Sequence, residues 1–300
     1  MARQLRRTSL VPAPALPAIV WMAGFFLAPL AIVLVYSFGY KPPLDAGAGP
    51  IALDRLSFAN YTDALSGAYG SIFRATLETA LLATGLCLLV AFPVALVLAR
   101  LPPRWRGVGL ALVIIPFWTS FLLRAFAWRI LLSGNGPLSE ALLALGALDD
   151  PLRVLDTRGA VQLGAVYNYL PLMIFPIFVA LERIDPALGD ASADLGAPVW
   201  RTFVEVTVPL AAPGIAGGLF LVFIPLAGEY VLPAVLGGAR GLMAGSLVAS
   251  QFLEAQNWAL GAAQAVVMIG LIVAALAVGS VVWVTTSWLA SAWRRRQSGC

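Results

Sequence analysis

The chain has 300 residues, of which 60% are hydrophobic and only 11% charged, and its mean hydropathy is +0.89. A soluble domain carries about 25% charged residues, so a water-soluble globule is excluded and an all-α membrane protein is expected. The net charge is +4 with no histidine: the commonest general base and metal ligand is missing, and arginines clustered beside apolar runs speak against nucleic acid.

A helix that crosses a bilayer needs about 20 apolar residues. Six runs reach that length, near 14–38, 75–99, 107–132, 160–181, 212–236 and 263–290. The first follows Arg3, Arg6 and Arg7. Its apolar part exceeds the roughly 7–15 residues of a signal peptide and no small-residue cleavage site follows, so it reads as an uncleaved span. With the N-terminus inside, segments 1–13, 100–106, 182–211 and 291–300 hold eleven of the 19 basic residues. Asp45, Asp54, Asp63, Glu140, Asp149, Asp150, Asp156 and Glu254 fall outside. Positive charge gathers on the cytoplasmic side, which assigns the tail 1–13 and the basic tail 291–300 to the cytoplasm, flanking a transmembrane domain 14–290.

The outer segments 39–73 and 133–159 contain FANYTDALSG and PLSEALLALG, both with helical spacing and a closing glycine. Arg74 and Glu78 are set for a local ion pair at the start of the second run. Cys87 lies within an apolar run and Cys300 is the last residue. No disulfide or metal site is implied, and Cys87 is expected to pack as a small hydrophobe.

In the third and fourth runs, Trp118, Thr119 and Ser120, and then Tyr167, Asn168 and Tyr169, form polar-aromatic clusters. Aromatic faces attract ammonium groups by about 0.5–2 kcal/mol. Hydrogen bonding between helices, or an interfacial aromatic belt, explains the same residues.

The loop 182–211 carries Glu182, Arg183, Asp185, Asp190, Asp194, Arg201 and Glu205. At about 2.5–3.5 kcal/mol each near a helix centre, placing them in lipid would cost on the order of 20 kcal/mol. The loop must meet water or protein. Asp185-Pro186 reads as a helix start, and Gly196 suits the left-handed cap that ends ALGDASADL. Pro198 opens a second helix, PVWRTFVEV, with Arg201 and Glu205 paired at i,i+4, and Pro209 is expected to end it. The product is a stiff elbow whose apolar side comes from Val199, Trp200 and Phe203. It is either a helix lying at the lipid interface or a docking element for a soluble partner.

Glu229, with Tyr230 beside it, is the ionisable residue placed deepest in a run, and such a residue is by default a functional candidate. Pro225, Gly228 and Pro233 bracket it, so the helix there is expected to kink or unwind. Its carboxylate either faces a pathway for a cation or serves as a structural partner for Arg124 or Arg129.

The loop resembles the EAA loop of ABC-importer permeases, with pattern E-A-A-x3-G-x9-I-x-L-P. Asp190, Ala191 and Ser192 stand at E-A-A, Gly196 at the glycine, and Val206, Val208 and Pro209 at I, L and P. The stretches 116–146, 165–185, 222–238 and 250–263 are similar to permeases of putrescine and spermidine importers. The resemblance implies about six transmembrane helices with a coupling helix, Ala191 to Phe203, between helices four and five, seated in a groove of a cytoplasmic ATPase. ATPase-coupling residues are then Asp190, Ala191, Ser192, Gly196, Val199, Trp200, Arg201, Phe203 and Pro209. Pathway residues are Glu229, Tyr230, Trp118, Tyr167, Asn168 and Tyr169.

It also implies a multi-pass protein of the bacterial inner membrane that carries a polyamine by alternating access. The partners are a second, paralogous permease, an ATPase dimer and a periplasmic solute-binding protein, with membrane lipid around them. No cofactor, metal or catalytic residue is implied, and no phosphate-binding G-x-x-x-x-G-K-[ST] loop occurs. The alternatives are a permease for another solute, such as an iron complex or aminophosphonate, and a secondary transporter, against which the absence of a visible inverted repeat speaks. A membrane enzyme lacks a catalytic constellation.

Overall fold

Most of the described chain is helical, as its spanning segments must be where no water is present to satisfy backbone groups. The structure, a computed structural model, describes residues 15–43 and 49–297. The tail 1–13 with Arg3, Arg6 and Arg7, as well as Asp45 and Cys300, lie outside the described residues. The helices are α1 (Leu16–Tyr36), α2 (Ala59–Leu65), α3 (Gly67–Arg100), α4 (Pro103–Ile114), α5 (Phe121–Leu132), α6 (Pro137–Ala144), α7 (Arg158–Glu182), α8 (Ala187–Asp194), α9 (Val199–Thr202), α10 (Val208–Ala227), α11 (Ala244–Leu253) and α12 (Trp258–Gln297). The two outer stretches of helical spacing form α2 and α6, and α12 continues through the basic stretch to Gln297.

Among the described residues, five helices are long and apolar enough to cross a membrane: Leu16–Tyr36, Gly67–Arg100, Arg158–Glu182, Val199–Ala227 and Trp258–Trp283. The pair Pro103–Trp118 and Phe121–Ala144, bent by 87°, is long and apolar enough to count as a sixth span when the two are taken as one. The six expected runs are therefore found, with two corrections. First, the run 107–132 is broken. Pro116 removes a donor from the ladder, the helix tightens to 3₁₀ over Ile115–Trp118, and Thr119 is extended before α5 begins.

Second, the run 212–236 begins earlier, at Val199, and leaves helix after Ala227. Pro209 does not end the short helix. The turn Phe203–Thr207 widens to π geometry, which relieves the clash a proline ring makes with the carbonyl four residues before it. The chain then passes through Pro209 as helix.

The core forms where α7 packs between α3 and α10. On α3, Ala80, Ala83, Cys87, Ala91 and Ala95 are fully buried, and their spacing of three or four keeps them on one face. Such small side chains let two backbones approach closely. The Cys87 thiol donates to the Val166 carbonyl at 3.7 Å, so this cysteine packs as a small hydrophobe, as expected. Val161, Met173, Ile174 and Ile177 of α7 and Val222 and Leu226 of α10 complete the core. By contrast α1 buries none of its residues and rests on α12.

Candidate functional site

The elbow between α7 and α10 is built from local contacts. The Asp185 carboxylate accepts from the Ala187 N–H at 2.9 Å, starting α8. Gly196 ends it at φ +78, and the N–H groups of Gly196 and Ala197 close on the carbonyls of Ala193 and Ser192. The hydroxyls of Ser192 and Thr202 share a hydrogen bond at 2.8 Å and tie the two arms together. Arg201 donates to Glu205 at 2.9 Å, the i,i+4 pair the spacing predicts.

Leu195, Val199 and Trp200 point outward with relative exposures of 88%, 83% and 68%, and Asp190 and Ala191 are exposed beside them. Phe203 turns the other way and meets Phe92 of α3 edge-on at 5.5 Å, while Pro209 is half-buried in α10. The base of the elbow is fixed by a residue that the spacing did not single out. Arg106 donates to Glu182 at 2.6 Å, and to the carbonyls of Ala99 and Leu101 at 3.1 and 3.4 Å. Its partner lies 76 positions away, so only charge at the end of a run could have flagged it.

At its far end the helix that starts in the elbow stops, and Gly228 to Tyr230 are non-helical. Glu229 sits in this break and is only 7% exposed. One of its oxygens accepts from the Tyr169 hydroxyl, the other from the Val231 N–H at 2.8 Å. The first turn of α11 presses on the break. A Cβ at Gly245 would lie 2.4 Å from the Glu229 carbonyl oxygen and 2.6 Å from that of Gly228.

Neither Arg124 nor Arg129 pairs with Glu229, which corrects the structural alternative; both found backbone carbonyls within reach instead. Arg129 donates to the Val235 carbonyl and lies 3.9 Å from Asp156. Among the described residues, Glu229 forms no ion pair. Arg74 and Glu78 do pair, at 2.8 Å, on the surface.

The bend of the third span is held by Arg124. Its Nη1 donates to the carbonyls of Pro116, Phe117 and Thr119 at 2.8, 2.9 and 3.1 Å, and its Nε donates to Asn168 Oδ1 at 2.7 Å. Its guanidinium lies 5.3 Å from the Phe117 ring centroid and 5.8 Å from that of Phe121. The sequence signal for this was an arginine inside an apolar run, eight residues after a proline.

Two consecutive residues of α7 thus serve two breaks: Asn168 holds Arg124 and Tyr169 holds Glu229. Tyr169 also meets Phe121 edge-on at 6.1 Å. Of the residues chosen for a pathway, Asn168, Tyr169 and Glu229 are buried around α7. Tyr167 meets Trp128 edge-on at 5.4 Å, and Trp118 and Tyr230 are exposed. A buried carboxylate can hold an ammonium group through a charge-assisted hydrogen bond. No cluster of potential metal ligands occurs among the described residues.

No family model matches the chain. It is 37% identical over 253 residues to the spermidine/putrescine transport system permease protein PotB of Haemophilus influenzae, covering 84% of this chain and 86% of that one. With the protein of the same name from Escherichia coli K12 it shares 36% over 248 residues, 83% of this chain and 88% of the other. Among solved structures, a bacterial alginate ABC transporter in complex with an alginate pentasaccharide-bound periplasmic protein superposes with a TM-score of 0.64. The match has 17% identity and covers 88% and 90% of the two chains. That likeness is one of fold.

Proposed function

The chain belongs to the family of spermidine/putrescine transport system permease proteins, subunits of ABC importers, and from that premise we propose that it forms part of a polyamine pathway whose solute meets Glu229. The observation that carries this reading is the state of that carboxylate. It is buried in a broken span and held by two uncharged donors, Tyr169 and Val231, with no counter-ion among the described residues. Negative charge at that depth is costly unless something cationic compensates it. Alkyl amines titrate near pH 10, so a polyamine brings that cation at neutral pH. A hydrogen bond to a charged group contributes about 1.5–3 kcal/mol, enough to favour an ammonium over a neutral solute.

The elbow supplies the motor contact in this reading. It lies in the cytoplasm, as do both termini, and Asp190, Ala191, Val199 and Trp200 seat against an ABC ATPase dimer. A paralogous permease completes the pathway, and a periplasmic binding protein delivers the solute at the opposite face of the bacterial inner membrane. The continuous helix Val199–Ala227 links the two regions. At about 1.5 Å per residue it is a rod of roughly 40 Å, with elbow residues at one end and the Glu229 break at the other. Movement of the elbow therefore shifts the break, and alternating access follows from exchanging which side the break opens to.

The test is ATP-driven uptake of labelled putrescine into vesicles carrying the whole importer, with spermidine as competitor. Uptake that needs ATP and yields to spermidine is expected. Indifference to both polyamines, or uptake that persists without the ATPase, would overturn the reading.

A further inference from the structure

Resting on the transport reading above, we infer that Arg124 is a positioning residue for transport: it pins the bend of the third span to α7, and so fixes the pathway wall beside the Glu229–Tyr169 pair. The bend leaves the carbonyls of Phe117 and Thr119 outside the regular ladder, in a segment where lipid offers no donor, while the Pro116 carbonyl accepts from the Thr119 N–H at 3.3 Å and hydroxyl at 2.7 Å. One guanidinium reaches all three and also Asn168.

Steric packing does not hold the bend from that side. A cleft of about 230 Å³ lies against it, bounded by Val94, Pro116, Phe117, Arg124 and Asn168. The hydrogen bonds are what fix the angle. Asn168 is itself oriented, because its amide nitrogen donates to the Gly164 carbonyl at 2.8 Å and so turns its oxygen toward Arg124. The next residue, Tyr169, contacts both Phe121 just past the bend and Glu229 in the other break. Releasing the pin therefore loosens Phe121 and, through it, the Tyr169 ring that holds the carboxylate.

Two separate nitrogens are required here: Nη1 serves the three carbonyls and Nε the Asn168 oxygen. Lysine has one nitrogen with three donors, so it can meet the carbonyls but not the amide oxygen as well.

The experiment is amide hydrogen exchange by mass spectrometry on the complete importer in lipid nanodiscs. In Arg124→Met, exchange over 115–124 is expected to rise about tenfold or more, with residues 199–207 unchanged. Arg124→Lys should fall between. Polyamine uptake by the Met variant should drop about tenfold at unchanged subunit stoichiometry. Unchanged exchange over 115–124 would overturn the inference. So would an equal rise throughout α7 and α10, which marks general loosening, or full uptake despite a loosened bend. If the wild-type importer moved no polyamine, the transport reading would fall while the exchange results still decided whether Arg124 pins the bend.

Discussion

The elbow and the two membrane breaks all interrupt helices, yet their geometry is set over different distances. At the elbow, Asp185 caps a residue two positions on, Arg201 pairs four positions on, and Ser192 meets Thr202 ten positions on. At the breaks, the deciding partners lie 44 positions away for Arg124 and 60 for Glu229. The arms of the elbow are set by near neighbours while its base is tied to Arg106 and Phe92, and it can present an apolar knuckle to whatever docks there. The breaks hold their shape only while α7 stays in place, which makes them the parts that a shift of the spans would remodel.

The comparison can be broken first at the knuckle. Trp200→Ala removes the largest exposed ring of the elbow, and truncation of such an anchor costs about 2–4 kcal/mol, roughly 30-fold or more in affinity. ATPase retention on the purified permease should fall accordingly while exchange at 228–237 stays the same. Retention equal to wild type would mean that the knuckle faces something else. Next comes Gly245→Val, which drives side-chain atoms into the carbonyls of Gly228 and Glu229. Overpacking of this kind costs about 1–3 kcal/mol; a thermal midpoint lowered by several degrees, with ATPase retention intact, would keep the two regions separate. Smallest is Gly196→Ala. Holding φ +78 with a Cβ costs about 1–2 kcal/mol, and faster protease cleavage confined to 187–207 is the expected sign. Loss of protection at Glu229 as well would show that the elbow is not self-contained.

The same difference in distance decides what was legible in the sequence. The elbow could be read because Asp185, Pro198, Gly196 and the Arg201–Glu205 spacing each act on near neighbours. Span positions followed from apolar length, and the Glu229 break from Pro225, Gly228 and Pro233. The partners did not follow. Arg124 seemed to call for an acid, whereas it serves three carbonyls at the Pro116 bend, and the apolar length of 107–132 hid that bend although Pro116, Thr119 and Ser120 lie within it. Pro209 looked like a terminator because a π turn that accommodates it has no signature in residue type. Arg106 at the elbow base was equally hidden, since a pair 76 positions apart leaves no periodic trace.

The central claim is that Glu229 receives the cation, and one substitution tests it most directly. Glu229→Gln keeps the shape, and its one oxygen can still accept from the Val231 N–H while its amide nitrogen donates to the Tyr169 hydroxyl oxygen, but it removes the charge. In the reconstituted importer, with equal amounts of assembled complex, polyamine uptake is predicted to fall about 10-fold or more, as expected for losing a charged hydrogen bond worth about 1.5–3 kcal/mol. Uptake equal to wild type in that same assembled complex would contradict the account.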